Sequence, residues 1–282
     1  MDLIRNKIIT EIKYVHYEDI TNIRHFLDKI NRKDLILTIS SKNKNIKIWD
    51  INNWKEIYNL INIYKEGCLN SACIFSDNIY NYIATCNDNY YSTCKIKIIN
   101  YKLKKMEEIN NSNERTNFID AYYDNNKSNI YIITGNYKYI KSYDYNNNKE
   151  YHIYDDNDDS FHTSIFINKN KEITQLIDSV EDGSIRIWDF HLGLLLNKII
   201  VGNLSLYGVC LYNNRNHEYL FVGSSVNNIF LIDLKNKKIL NSIQGHNNEV
   251  MTVKTIIQSE SGDLLISQGY DDDGIKIWLI KN

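Results

Sequence analysis

Proline is absent from this 282-residue chain and glycine occurs only 11 times, against typical usage of about 5% and 7%. Tight turns that need φ > 0 must therefore fall on other residues, and Asn and Asp tolerate that region best. For that reason Asn52 with Asn53, and the run Asn146, Asn147 and Asn148, are read as turns and not as a linker. The abundance of Asn, Ile, Lys and Tyr looks like the bias of an AT-rich coding sequence. Cysteine is scarce too. Cys68, Cys73, Cys86, Cys94 and Cys210 are odd in number and match no zinc spacing. They read as small apolar residues of a protein in a reducing compartment.

Other absences narrow the function. No apolar stretch approaches the roughly 20 residues that a membrane helix needs. Residues 1–12 are broken by Asp2, Arg5, Lys7 and Glu11, unlike a signal peptide. An intracellular protein, cytoplasmic or nuclear, is expected, with no membrane insertion. The net charge of −2 gives no reason to invoke nucleic acid. There is no GxGxxG, no phosphate loop, no GxSxG and no His-x3-His pair, and the six arginines are scattered. Neither an enzyme nor a cofactor or metal site is expected.

What is present is a repeat. IKIWD at 46–50 returns as IRIWD at 185–189 and IKIWL at 275–279, with weaker copies IKIIN, YIKSYD and IFLID between them. The closing residues Asp50, Asn100, Asp144, Asp189, Asp233 and Leu279 set a period of roughly 44–50 residues, the range of four-stranded propeller blades. Each period holds short β-branched or aromatic runs at strand spacing, such as 20–27, 35–40, 46–50 and 56–61. Ile-x-Ile-Trp puts two Ile on one face and the Trp on the other, so both faces need cover. Six phrases predict six blades over residues 1–282 as one domain. The last blade lacks an outer strand, and residues 7–12 (KIITEI) resemble 238–243 (KILNSI), the outer strand of the fifth. The N-terminal strand is therefore expected to close the last blade.

The stretches EDGSIRIWDF (181–190) and QGHNNEV (244–250) resemble the WD40 repeat family. The resemblance runs through the whole length, strongest in blades 1, 4 and 6, and implies an all-β, six-bladed WD40-like propeller. It further implies a structural relay from a His before the inner strand, through an Asp, to the indole. His16, His246, Asp182, Asp272, Trp49, Trp188 and Trp278 fit those places, with Asn43 standing for the Asp in blade 1.

The loops assigned to one face are rich in carboxylates: Asp155, Asp156, Asp158, Asp159, Glu181, Asp271 and Asp273 among them, with Tyr270 alongside. Two readings stay open. The loops are a solvated rim, or they dock a cationic segment with tyrosines as anchors. The function expected is a non-enzymatic scaffold binding a protein or peptide partner, with a Lys/Arg-rich segment as the match to these residues, within a larger complex. A coat or nuclear-pore type subunit completed by a partner chain is the alternative.

Overall fold

A computed structural model of the chain describes residues 4–13, 15–16, 20–28, 30–40, 44–65, 67–77, 79–88, 95–100, 103, 105–110, 116–158, 160–169, 172–214, 217–256, 263–270 and 274–280, the side chains of 4–13, 21, 88, 110 and 274 excepted. The strand β1 (Ile4–Lys13) comes first. Blade 1 follows as β2 (Ile20–Asp28), β3 (Lys33–Ser40), β4 (Asn45–Asp50) and β5 (Lys55–Leu60). Blade 2 is β6 (Cys68–Ser76), β7 (Asn81–Asp88), β8 (Lys95–Asn100) and β9 (Lys105–Asn110). Blade 3 is β10 (Phe118–Asp124), β11 (Asn129–Gly135), β12 (Ile140–Asp144) and β13 (Lys149–Tyr154). Blade 4 is β14 (His162–Lys169), β15 (Thr174–Val180), β16 (Ser184–Asp189) and β17 (Leu195–Ile200). Blade 5 is β18 (Leu206–Asn214), β19 (His217–Ser224), β20 (Asn228–Asp233) and β21 (Lys238–Gln244). Blade 6 takes β22 (Val250–Ile256), β23 (Asp263–Gly269) and β24 (Gly274–Ile280), and β1 is its fourth strand.

All six sheets are four-stranded and antiparallel; five are meanders of consecutive strands, and the sixth joins β22, β23 and β24 to β1. β1 lies against β24 with Ile12 opposite Ile275 and Ile4 opposite Ile280, its register shifting on either side of Ile8. The phrase strands are the third of each blade, and both of their faces are covered. Ile46 and Ile48 pack into a cluster with Leu69, Ala72 and Ile83 of blade 2. Ile275 and Ile277 pack with Ile20, Ile23 and Ile36 of blade 1. Each blade thus supplies one wall of its neighbour's core, as a propeller requires.

The residue that closes each phrase has a local task. Asp50 Oδ1 accepts the amide of Asn52 at 3.0 Å, Asp189 Oδ1 that of His191 at 2.9 Å, and Asp233 Oδ1 that of Asn236 at 2.8 Å. Asn100 does the same for Leu103 at 3.0 Å. These side chains cap the turn into the fourth strand. Blade 6, whose fourth strand is β1, carries Leu279 instead. Positive φ falls on Asn148, Asn157 and Asn227, as the shortage of glycine predicts, and also on Lys44 and Trp54.

Candidate functional site

In blades 3 to 6 hydrogen bonds join the segment before the first strand to the end of the second strand or the loop after it, so both lie on one face of the ring. Glu181 N donates to Phe161 O at 3.0 Å, Ser225 N to Ser205 O at 3.0 Å, and Tyr270 N to Glu249 O at 2.7 Å. In blades 4 and 6 three side chains hold this face in place. They are the second-strand residue opposite the middle of the phrase, the phrase's own cation, and its Trp.

An indole N–H is a donor only, so a buried Trp needs an acceptor within reach. In blade 1, Trp49 Nε1 donates to Thr38 Oγ1 at 2.9 Å, and His16 Nε2 meets the same oxygen at 2.9 Å. In blade 6, Trp278 Nε1 and His246 Nε2 each lie 2.7 Å from Ser267 Oγ. In blade 4 a carboxylate takes both roles: Trp188 Nε1 donates to Asp178 Oδ1 at 2.7 Å, while His162 Nδ1 lies 2.6 Å from Oδ2. The relay therefore passes through the second strand. This corrects the assignment of Asp182, which instead accepts Ser184 N at 2.8 Å and Arg186 Nη2 at 3.3 Å. The reason is geometric. Asp178 sits opposite Arg186 in the β15–β16 ladder, on the same sheet face as Trp188, whereas Asp182 lies in the turn beyond. Asp272 lies outside the described residues.

The phrase's cation reaches the loop face in blades 2, 4 and 6, whereas Lys47 of blade 1 pairs with Glu56 of β5 at 2.9 Å. Lys97 Nζ donates to Ile63 O at 2.8 Å and Lys276 Nζ to Gly245 O at 2.9 Å. Arg186, with a fully buried side chain, donates from Nε to Asp156 Oδ2 at 2.6 Å and from Nη2 to Asp158 Oδ2 at 3.0 Å. Lys198 on β17 adds contacts to Asp158 at 2.9 Å and Asp182 at 3.2 Å. The hydrogen bond from Lys198 holds the Asp158 carboxyl below the ordinary range. Desolvation opposes ionisation of Asp182, yet bonds from Ser184 with Arg186 and Lys198 hold it low as well. Asp156, Asp158 and Asp182 are thus committed to two cations that a count of loop charges alone omits. Their carboxylates fasten loops, and Arg186 cannot stay buried without them.

The sequence-predicted partner residues divide accordingly. Asp155 is exposed and accepts Asn157 N at 2.7 Å. Glu181 is exposed and Tyr270 is 48% exposed, on neighbouring parts of the same face. Asp159, Asp271 and Asp273 fall outside the described residues. Glu181, Glu249 and Tyr207 all fall by sequence in loops of this face, and the fold brings them into one group. Tyr207 Oη donates to Glu249 Oε2 at 3.2 Å. Partial desolvation and then Glu249 raise the Glu181 carboxyl above its usual range. Burial, with Glu249 and Glu181, pushes the Tyr207 phenol up to about 12. The neighbours that raise both groups are carboxylates, so the place favours an incoming positive charge. Among the described residues, no set of His, Cys, Asp and Glu is arranged to hold a metal ion.

The comparisons agree with this geometry. Residues 237–278 match the WD40 family, described as WD domain, G-beta repeat. The matched stretch runs from β21 through Trp278 of β24, so a sequence repeat is one outer strand plus the three strands of the next blade. In that phase β1 is the outer strand preceding blade 1, and in a ring the preceding blade is the sixth. No curated protein matches the chain. The fold is a six-bladed WD40-like β-propeller, and WD40 propellers generally bind protein partners and are generally non-catalytic.

Two measurements check the network. Asp178→Ala orphans two buried donors and should cost about 2–5 kcal/mol in urea unfolding, while Asp182→Ala, which leaves Arg186 two other carboxylates, should cost about 1 kcal/mol. The reverse order would restore Asp182 to the relay. Burial, then Lys47, brings the His16 imidazole from 6.5 down to about 4. A group lowered on folding stabilises fully above pH 6.5 and loses that contribution as pH falls toward 4, on the order of 3 kcal/mol here. The stability difference between the native chain and His16→Gln should shrink through that window. A difference independent of pH would contradict the burial of a neutral imidazole.

Proposed function

We propose that this propeller is a non-catalytic docking scaffold whose loop face receives a basic segment of a protein partner. The observation that carries the reading is the Glu181, Glu249 and Tyr207 group, where desolvation and then neighbouring carboxylates raise the proton affinity of Glu181 and Tyr207. A Lys or Arg placed there relieves the carboxylates' repulsion, and water excluded around it strengthens the attraction. Tyr270, half-exposed and tied by its backbone to Glu249, supplies an aromatic anchor beside the charge. Tyr137, 43% exposed and edge-on to Phe161 at 4.3 Å, offers a second ring on the same face. Asp156 and Asp158 support the loops and do not themselves receive the partner. The β24 edge that a partner strand would use in a coat-type subunit is taken by β1, which favours the self-closed scaffold over that alternative.

Fluorescence anisotropy with a labelled Lys/Arg-rich peptide tests the assignment. Glu181→Gln with Glu249→Gln should weaken binding about tenfold, flatten its dependence on salt, and leave unfolding unchanged. Asp156→Asn with Asp158→Asn should lower stability instead, because Arg186 loses two of its three carboxylates and keeps only Asp182. Unchanged peptide affinity in the Glu181/Glu249 variant would contradict the proposal.

A further inference from the structure

The register of the six inner strands places one equivalent residue per blade around the axis. Arg24 lies opposite Leu37, Cys73 opposite Ala84, Asp120 opposite Ile133, Phe166 opposite Ile177, Cys210 opposite Phe221, and Lys254 opposite Ile266. In blades 1, 4 and 6 the opposed residue comes just before Thr38, Asp178 or Ser267, the relay position, which fixes the equivalence. Arg24 and Lys254 stand on neighbouring blades. Burial keeps both ring cysteines as thiols, Cys73 raised well above its ordinary value and Cys210 up to about 11. Desolvation, then the charge of Arg24, lowers the Lys254 ammonium to about 8. Asp120 is the one carboxylate of the six, and its Oδ1 accepts the Ala121 amide at 2.8 Å.

Arg24 is only 5% exposed. Its Nη1 reaches Ile23 O at 3.5 Å, while Nε and Nη2 have no partner. Those two nitrogens share one edge of the planar guanidinium, the fork that grips a carboxylate or phosphate through two parallel N–H···O bonds. A buried guanidinium with that edge empty is costly. Arg24 lines a cavity of about 330 Å³ in the axial channel, together with Asn22, Asn70, Asn117, Thr163 and Thr252. Asn22 gives Nδ2 to Ser71 Oγ at 3.1 Å, and its Oδ1 is also without a partner. The residues around the cavity therefore include a guanidinium with two buried nitrogens lacking partners, an amide with a buried oxygen lacking one, and hydroxyls.

We propose that the axial channel binds a small oxyanion, of the phosphate or carboxylate class, gripped by the Nε–Nη2 edge of Arg24 with Lys254 as the second charge. The cavity exceeds what a bare ion fills, so an organic phosphate or carboxylate is accommodated. Glu181 lines the same cavity from the loop face and opposes entry. The cavity shares Glu181 and Tyr207 with the docking group for a basic segment, but an oxyanion held at Arg24 does not require that a basic segment bind.

Titration calorimetry of the full chain with inorganic phosphate and with acetate, against chloride at equal ionic strength, tests the site. Saturable heat is expected for phosphate or acetate and not for chloride, and the stronger of the two names the oxyanion. Arg24→Lys keeps the charge and loses the fork, and should weaken binding about tenfold or more. Lys254→Met keeps the fork and should weaken binding several-fold, while Glu181→Gln should tighten it. Melting temperature with and without phosphate gives a second readout, rising in the native chain and not in Arg24→Gln. Absence of saturable binding by either oxyanion, or equal affinity in the native chain, Arg24→Lys and Lys254→Met, would overturn the proposal.

Discussion

Every sheet in this molecule is apolar on both faces, and that constraint governs the rest. A two-sided apolar sheet of four strands cannot stand in water, and a stack of such sheets leaves two faces bare unless it curves into a ring. Closing the ring brings β22, β23 and β24 against blade 1, as the shared cluster of Ile20 and Ile23 with Ile256, Ile266 and Ile277 records. It also puts β1 beside β24. The same closure gathers the six inner strands around an axis. Residues with no common place in the sequence, such as Arg24, Asp120 and Lys254, then come to face one channel.

Within a blade, polar groups are admitted in matched sets. The second-strand acceptor, the phrase cation and the indole share one sheet face, because directly opposed residues and those two apart point the same way. Blade 4 uses Asp178, Arg186 and Trp188, and blade 6 uses Ser267, Lys276 and Trp278. Blade 5 has Val222, Phe230 and Ile232 in those places. All three positions become apolar together, which avoids a buried group without a partner. The cation end of the set is what pins the loops, so the shape of the binding face is inherited from the interior of the blades.

The architecture was legible because the Trp phrase recurs at blade spacing and because residues 7–12 copy an outer strand. The site was legible only in part. Counting back from Trp188 reaches Asp182 along the chain, but the bond to the indole is made across the ladder by Asp178. Summing charges over loops found Asp156 and Asp158 and overlooked Arg186 and Lys198, whose strand positions carry them to the same carboxylates. The cation two places before Trp188 was present in the sequence, and its recurrence in the phrases of blades 1 and 6 would have drawn attention to Arg186. Glu249 and Tyr207 come from different blades, and no local pattern announces their meeting. The ring of Arg24 and Lys254 needs the register of the inner strands, bulges included, before the equivalence can be seen.

The ring closure is the claim on which the other assignments stand, and amide hydrogen exchange on the full chain tests it most directly. The account predicts that the β1 amides bonded to β24 exchange as slowly as those of β23, in one cooperative unit that opens only with the blade. Exchange of β1 at loop rates while β24 stays protected would contradict it, for the sixth blade would then end at β24 with its edge uncovered.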